Sequence, residues 1–235
     1  MPSRHSVKTY ASNSFYHVYN RGVEKREIFL EEIDYGVLLS YVKTYLLPKD
    51  THALMSVIAN PIAGWRQKDQ AIKALRLNNF SDSIELVAFC FMKNHYHMLI
   101  RQENENDMDQ FMNSLWTRYT MYFNKKYKRV GPLFQDVYKA VLVKTEEQLM
   151  YLTRYIHRNP IAKRQLRNSI SQRDALRNYV HSSYLNYVGE RKATWIHSER
   201  ILAAWNLDQY VQYEKFVLEF GIEERSAKII APVII

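Results

Sequence analysis

The stretch Phe89-Cys90-Phe91-Met92-Lys93-Asn94-His95-Tyr96-His97-Met98-Leu99-Ile100 constrains this chain most. An apolar run meets a short polar break at Lys93-Asn94 and then resumes. That pattern predicts two strands, 84–92 and 95–101, joined in a hairpin. Side chains on a strand alternate faces, so His95 and His97 point the same way. Two imidazoles side by side are half of a metal site or a crowded packing pair, and the pair alone leaves both open. Cys90 is the single cysteine. Inside an apolar run it reads as a buried thiol, it excludes an internal disulfide, and it fits a reducing compartment.

Before the hairpin, residues 15–19 have strand composition and end in the turn cluster Asn20-Arg21-Gly22. His17 shares a face with Phe15 and Tyr19 and reads as a histidine packed among aromatics. Asp34 is placed to cap a helix whose apolar positions (Val37, Leu38, Tyr41, Val42, Tyr45) recur at helical spacing, and Pro48 stops it. Residues 48–82 are less regular and read as an insertion. They carry a short helix over 67–77 with Ile72 and Leu75 inward, then a loop over 78–82.

After the hairpin, Asp107 with Gln110 resembles a capping box. The helix it opens has Met108, Phe111, Met112, Leu115, Tyr119, Tyr122 and Phe123 on its apolar face. A β-branched run predicts a strand over 137–143. Thr145, with Gln148 three residues on, caps a further helix with Leu149, Leu152 and Ile156 inward. On that helix Tyr155 and Asn159 are four apart and stack on one side, and Pro160 ends it. The remainder reads as a helical extension over 179–235 on a main body of 1–178. Its apolar tail, 229–235, docks on its own chain or on a neighbour.

This order (strand, helix, hairpin, helix, strand, helix) suits an α+β sandwich around a mostly antiparallel sheet with the His95/His97 strand in its middle. The helix of Tyr155 then lies across the sheet. Asn159 offers a third ligand through its carbonyl oxygen. Two imidazoles and one oxygen leave positions open for phosphate oxygens and water, which suits Mg²⁺ or Mn²⁺ better than structural zinc. Spacing alone does not single out Tyr155 as a nucleophile, because Tyr151, Tyr119 and Tyr138 compare with it.

Further motifs carry a resemblance. His95-Tyr96-His97 after Met92-Lys93-Asn94 resembles the HUH motif of single-strand transposases. Residues 154–160, Arg154-Tyr155-Ile156-His157-Arg158-Asn159-Pro160, resemble the tyrosine helix of the REP-associated tyrosine transposases and their insertion-sequence relatives. Phe15 to Gly22, Thr117-Arg118-Tyr119, Gly131-Pro132-Leu133-Phe134-Gln135 and Ser182-Ser183-Tyr184 match in family order. Two features depart from it: the long 48–82 segment, and Lys93 where many relatives have proline.

The resemblance implies an HUH core of ferredoxin-like type and a single-stranded DNA nuclease and strand-transferase. Tyr155 would form a 5′-phosphotyrosine, and His95, His97 and Asn159 would hold a divalent metal, Mg²⁺ or Mn²⁺. It implies hairpin DNA as the substrate.

The formal charge of +9, from 33 Lys and Arg against 24 Asp and Glu, suits a polyanionic partner. Arg21, then Arg118, Lys125, Lys126, Lys128 and Arg129, then Arg154, Arg158, Lys163 and Arg164 are the expected backbone contacts. No apolar run is long enough for a membrane span or a signal peptide, so a cytoplasmic protein is expected, and a homodimer stays open. The alternative readings are a domesticated hairpin-binding protein that does not cut, and a hydrolase that uses water.

Overall fold

The computed structural model describes residues 10–162, 169–205, 207–219 and 228–231. Four antiparallel strands, β1 (Ser14–Arg21), β2 (Ile84–Met92), β3 (His95–Gln102) and β4 (Lys139–Val143), form one sheet in the order β2-β3-β1-β4. The helices are α1 (Glu32–Leu46), α2 (Thr51–Ala59), α3 (Trp65–Arg76), α4 (Asp107–Lys126), α5 (Glu146–Arg158), α6 (Ser169–Arg177), α7 (Tyr184–Tyr187), α8 (Glu199–Leu202) and α9 (Gln209–Leu218). The architecture is the α+β arrangement expected, with β3 inside the sheet.

Strand parity divides the molecule. Tyr96, Met98 and Ile100 of β3 and Tyr16 and Val18 of β1 face α1 and α4 in one core cluster. Leu99 of β3 and Cys90 of β2 pack in a second cluster with Leu152 and Ile156 of α5 and Tyr213 and Val217 of α9. A bulge between Leu86 and Ala88 changes the β2 register, so Val87 and Ala88 both join this second cluster. Cross-strand partners share a face. Pairing of Tyr19 with His97 and of Arg21 with His95 therefore puts both β1 residues on the histidine side of the sheet. The hairpin turn is the two residues Lys93 and Asn94, as expected.

Several local expectations are corrected. Glu31 caps α1, while Asp34 lies in its first turn. There it is fully buried and accepts hydrogen bonds from the Leu30 and Glu31 amides, Tyr122, Tyr127 and Lys126. Asp107 is the first residue of α4, and its carboxylate accepts from Asn104, so the capping box is not formed as read. Trp116 adds to the buried face of α4.

The strand expected over 137–143 begins only at Lys139. Val137 is exposed, and the Tyr138 hydroxyl donates to Asp109. In the 48–82 segment α2 was not expected. It contributes no buried residue and packs on α3, in which Ala71 is buried while Ile72 is exposed.

Candidate active site

Two elements bring the candidate residues together. In β3, His95 and His97 stand on one face with ring centroids 5.2 Å apart. Across them lies α5. Its start is fixed by the Thr145 hydroxyl, which accepts from the Gln148 amide at 3.1 Å, while the Gln148 side chain accepts from Lys144 N at 2.9 Å. Its end is fixed by Asn159, the cap residue, before Pro160 in a 3₁₀ turn.

The last two turns of α5 are anchored from behind. His157 is fully buried between the Tyr213 hydroxyl and the Ser183 hydroxyl, each at 2.7 Å, and burial pushes its pKa down to about 3. Arg154 and Arg158 reach the C-terminal end of α9. Arg154 donates to the carbonyls of Phe216 (3.0 Å) and Glu219 (2.7 Å), and Arg158 to that of Val217 (2.7 Å). Cations at a helix C-terminus are favourable, and here they tie α5 to α9.

This positioning turns the Tyr155 ring edge-on to His97, at a centroid distance of 5.4 Å, and to His17, at 6.1 Å. The other candidate tyrosines are elsewhere. Tyr119 donates to the Ile28 carbonyl in the opposite core, Tyr138 is held by Asp109, and Tyr151 is buried against Phe216. Burial raises the Tyr155 phenol above its ordinary value, and Asn159 and the charge of Arg21 pull it back down. The Arg21 side chain is exposed and has no ion pair among the described residues. Beside Tyr155 lies Tyr19. Its hydroxyl is buried without a hydrogen-bond partner among the described residues, and its phenol is likewise raised by burial.

The donor set fits a cation. Asn159 donates through Nδ2 to the Tyr155 carbonyl at 3.0 Å, which turns its Oδ1 toward His95 Nε2 at 3.5 Å. On the other side of its ring, His95 Nδ1 lies 2.7 Å from the Asn94 Oδ1, an acceptor, so Nδ1 carries a proton, and in the neutral ring Nε2 holds a lone pair. In that neutral form two acceptors face each other at 3.5 Å. Donors that share one cation at about 2.0–2.2 Å stand about 3–3.5 Å apart. Burial and the neighbouring His17, His95 and Arg21 hold His97 well below the ordinary histidine value, so it is neutral, as a ligand must be. Among the described residues no three His, Cys, Asp or Glu side chains make a metal site, and the oxygen that stands beside His95 is that of the Asn159 amide.

The expected backbone contacts divide. Arg154 and Arg158 are spent on α9. Lys126 pairs with Asp34 (2.7 Å) and Glu31 (3.0 Å), and Arg118 stacks on Tyr41 at 3.8 Å. Lys125 and Lys128 are exposed. Arg129, half-exposed, lies near Arg26, where burial and that second cation lower its pKa. The chain just after Arg129 runs at the same end of the sheet as Arg21 and His95, since Gln135 N donates to Arg21 O and Gly22 N to Asn94 O, both at 2.9 Å. Lys163 and Arg164 lie outside the described residues. His17 and Tyr19 were not foreseen as members of the site. Their alternation with Phe15 was visible, but the pairing of β1 with β3 was not.

Residues 64–159 match the family model described as Transposase IS200 like. That stretch holds His95, His97, Tyr155 and Asn159 and leaves out β1. No curated protein matches the chain. Among solved structures, that of a REP-associated tyrosine transposase bound to a REP hairpin is similar with a TM-score of 0.46 and 11% identity. The alignment covers 82% of this chain and 96% of that one.

Proposed function

From the premise that this chain is IS200-transposase-like, we propose that it cleaves and rejoins single-stranded DNA with Tyr155 as the nucleophile. The observation that carries this reading is the meeting, on one sheet face, of the Tyr155 phenol with His95, His97 and Asn159. The phenol oxygen attacks a backbone phosphorus and its proton leaves to solvent. The P–O3′ bond breaks, and the departing 3′ oxygen takes up a proton. The product is a 5′-phosphotyrosine and a free 3′-hydroxyl. Attack by a 3′-hydroxyl on that link reverses the step and rejoins a strand, so no nucleotide energy source is needed.

Arg21, an exposed cation beside the phenol, stabilises the phenolate and the charge that develops on phosphate. His95, His97 and Asn159 would hold Mg²⁺ or Mn²⁺, which supplies Lewis acidity at the scissile phosphate. In this reading residues 1–178 form the catalytic body and 179–235 brace α5. The strand is held by Arg21, Lys125, Lys128 and Arg129, with Lys163 and Arg164 as further candidates, and the substrate is a hairpin.

Incubation with single-stranded hairpin DNA and Mn²⁺ tests the reading. A covalent protein–DNA adduct that is absent in Tyr155→Phe is the expected result. Cleavage that survives Tyr155→Phe means water is the nucleophile. Tight binding of cognate DNA with no adduct means a binding protein that does not cut.

A further inference from the structure

The two candidate ligand histidines are held in a matched way, and the match gives His17 a role. His95 Nδ1 donates to the Asn94 amide oxygen at 2.7 Å, and that amide is oriented by its own donation to the Lys25 carbonyl at 3.2 Å. In the neutral ring this leaves the His95 Nε2 lone pair toward Asn159. In His97 the corresponding Nδ1 lies 2.9 Å from His17 Nε2. One nitrogen of that contact donates and the other accepts. If His17 donated, neutral His97 would carry its hydrogen on Nε2 and could not ligate there. If His17 accepts, His97 carries Nδ1–H and presents an Nε2 lone pair.

We propose that His17 is a positioning residue whose Nε2 accepts the His97 Nδ1–H and so fixes His97 in its metal-ligating tautomer. Its surroundings suit the task. His17 is 1% exposed, stacked on Tyr19 at 4.9 Å and on His97 at 5.1 Å with 18° between the latter ring planes. Both contacts fix the ring as well as the bond. β1 delivers it from outside the family-matched residues. The inference rests on the metal-centre reading of the site.

The test is Mn²⁺ titration of the full chain, read as the spectroscopic signal of free Mn²⁺, for wild type, His17→Gln and His17→Leu. The glutamine variant offers an amide oxygen near the Nε2 position; the leucine variant offers no acceptor. We expect His17→Leu to weaken Mn²⁺ binding by about 10–100-fold and His17→Gln to recover most of it. Equal affinity in a folded His17→Leu overturns the positioning role and leaves the metal centre standing. Absence of Mn²⁺ binding in wild type overturns the metal centre and this inference with it.

Because His17 is buried, ¹⁵N-histidine spectra of the wild type loaded with Mg²⁺ give a second reading that needs no variant. A proton on His97 Nδ1 and none on His17 Nε2 supports the role. A proton on His17 Nε2 overturns it.

Discussion

Along β3 the side chains alternate between Tyr96, Met98 and Ile100 on one face and His95, His97 and Leu99 on the other. The first face meets α1 and α4 in an aromatic core, where Tyr96 stacks on Trp116 at 4.1 Å and Phe29 on Tyr35 at 4.1 Å. Its buried charge, Asp34, is surrounded by five donors. The second face meets α5, where His95 Nε2 lies 3.5 Å from Asn159 Oδ1 and His97 Nδ1 lies 2.9 Å from His17 Nε2. Burying a polar group without a partner costs stability. Among the described residues both faces carry such groups, the Tyr96 hydroxyl and Trp116 Nε1 on the first and the Tyr19 hydroxyl on the second, so what sets the second face apart is the convergence there of two histidines, an amide oxygen and a phenol.

Substitutions on the two faces should separate function from stability. The largest effect belongs to the second face: Tyr155→Phe should lower DNA cleavage by more than about 10³-fold with an unchanged melting temperature. Loss of activity together with unfolding would place Tyr155 on the structural side of the comparison.

Next comes Asp34→Asn on the first face, which leaves buried donors facing an amide. It should destabilise the fold by about 2–4 kcal/mol in denaturant titration, with cleavage per folded molecule intact. Burial alone would raise the Asp34 carboxyl; Lys126, Tyr127 and the two amides more than offset that and hold it below the usual carboxylate range. A depressed folded pKa means the contribution is complete above the unfolded value near 4 and is lost as pH falls through the folded value. Wild type should therefore lose stability on acidification over that window, and Asp34→Asn should show a shallower acid limb.

Arg21→Gln is a smaller perturbation. The Arg21 charge lowers the Tyr155 phenol, so its removal should move the alkaline rise in cleavage rate to higher pH. It should also reduce the salt slope of single-strand binding by about 0.7, the share of one phosphate contact. An unchanged pH profile would detach Arg21 from the nucleophile. The smallest effect is expected away from both faces: Ile62, 91% exposed after α2, should tolerate Ile62→Ser within about 0.5 kcal/mol.

What the sequence disclosed follows the same division. The hairpin, α4 and α5 were legible because a tight turn, a helical period and a Thr145 cap are local signals. The stacking of Tyr155 with Asn159 followed from helical spacing alone. Hidden were the features set by packing between distant segments. Helix α2 buries nothing, so it has no inward stripe to detect. Arg154 and Arg158 look like any basic run until α9 is placed against them. His17 and Tyr19 join the site through the adjacency of β1 and β3, which no spacing within the chain encodes. The long 48–82 segment was recognised as irregular, but its helical hairpin with Trp65 and Ile62 exposed was not.

The second face delivers one particular phenol among the 18 tyrosines of the chain. Peptide mapping of the covalent protein–DNA adduct by mass spectrometry tests it most directly. The nucleotide is expected on the peptide that contains Tyr155. Finding it on the peptide of Tyr19, whose buried hydroxyl lies in the same site, would contradict it.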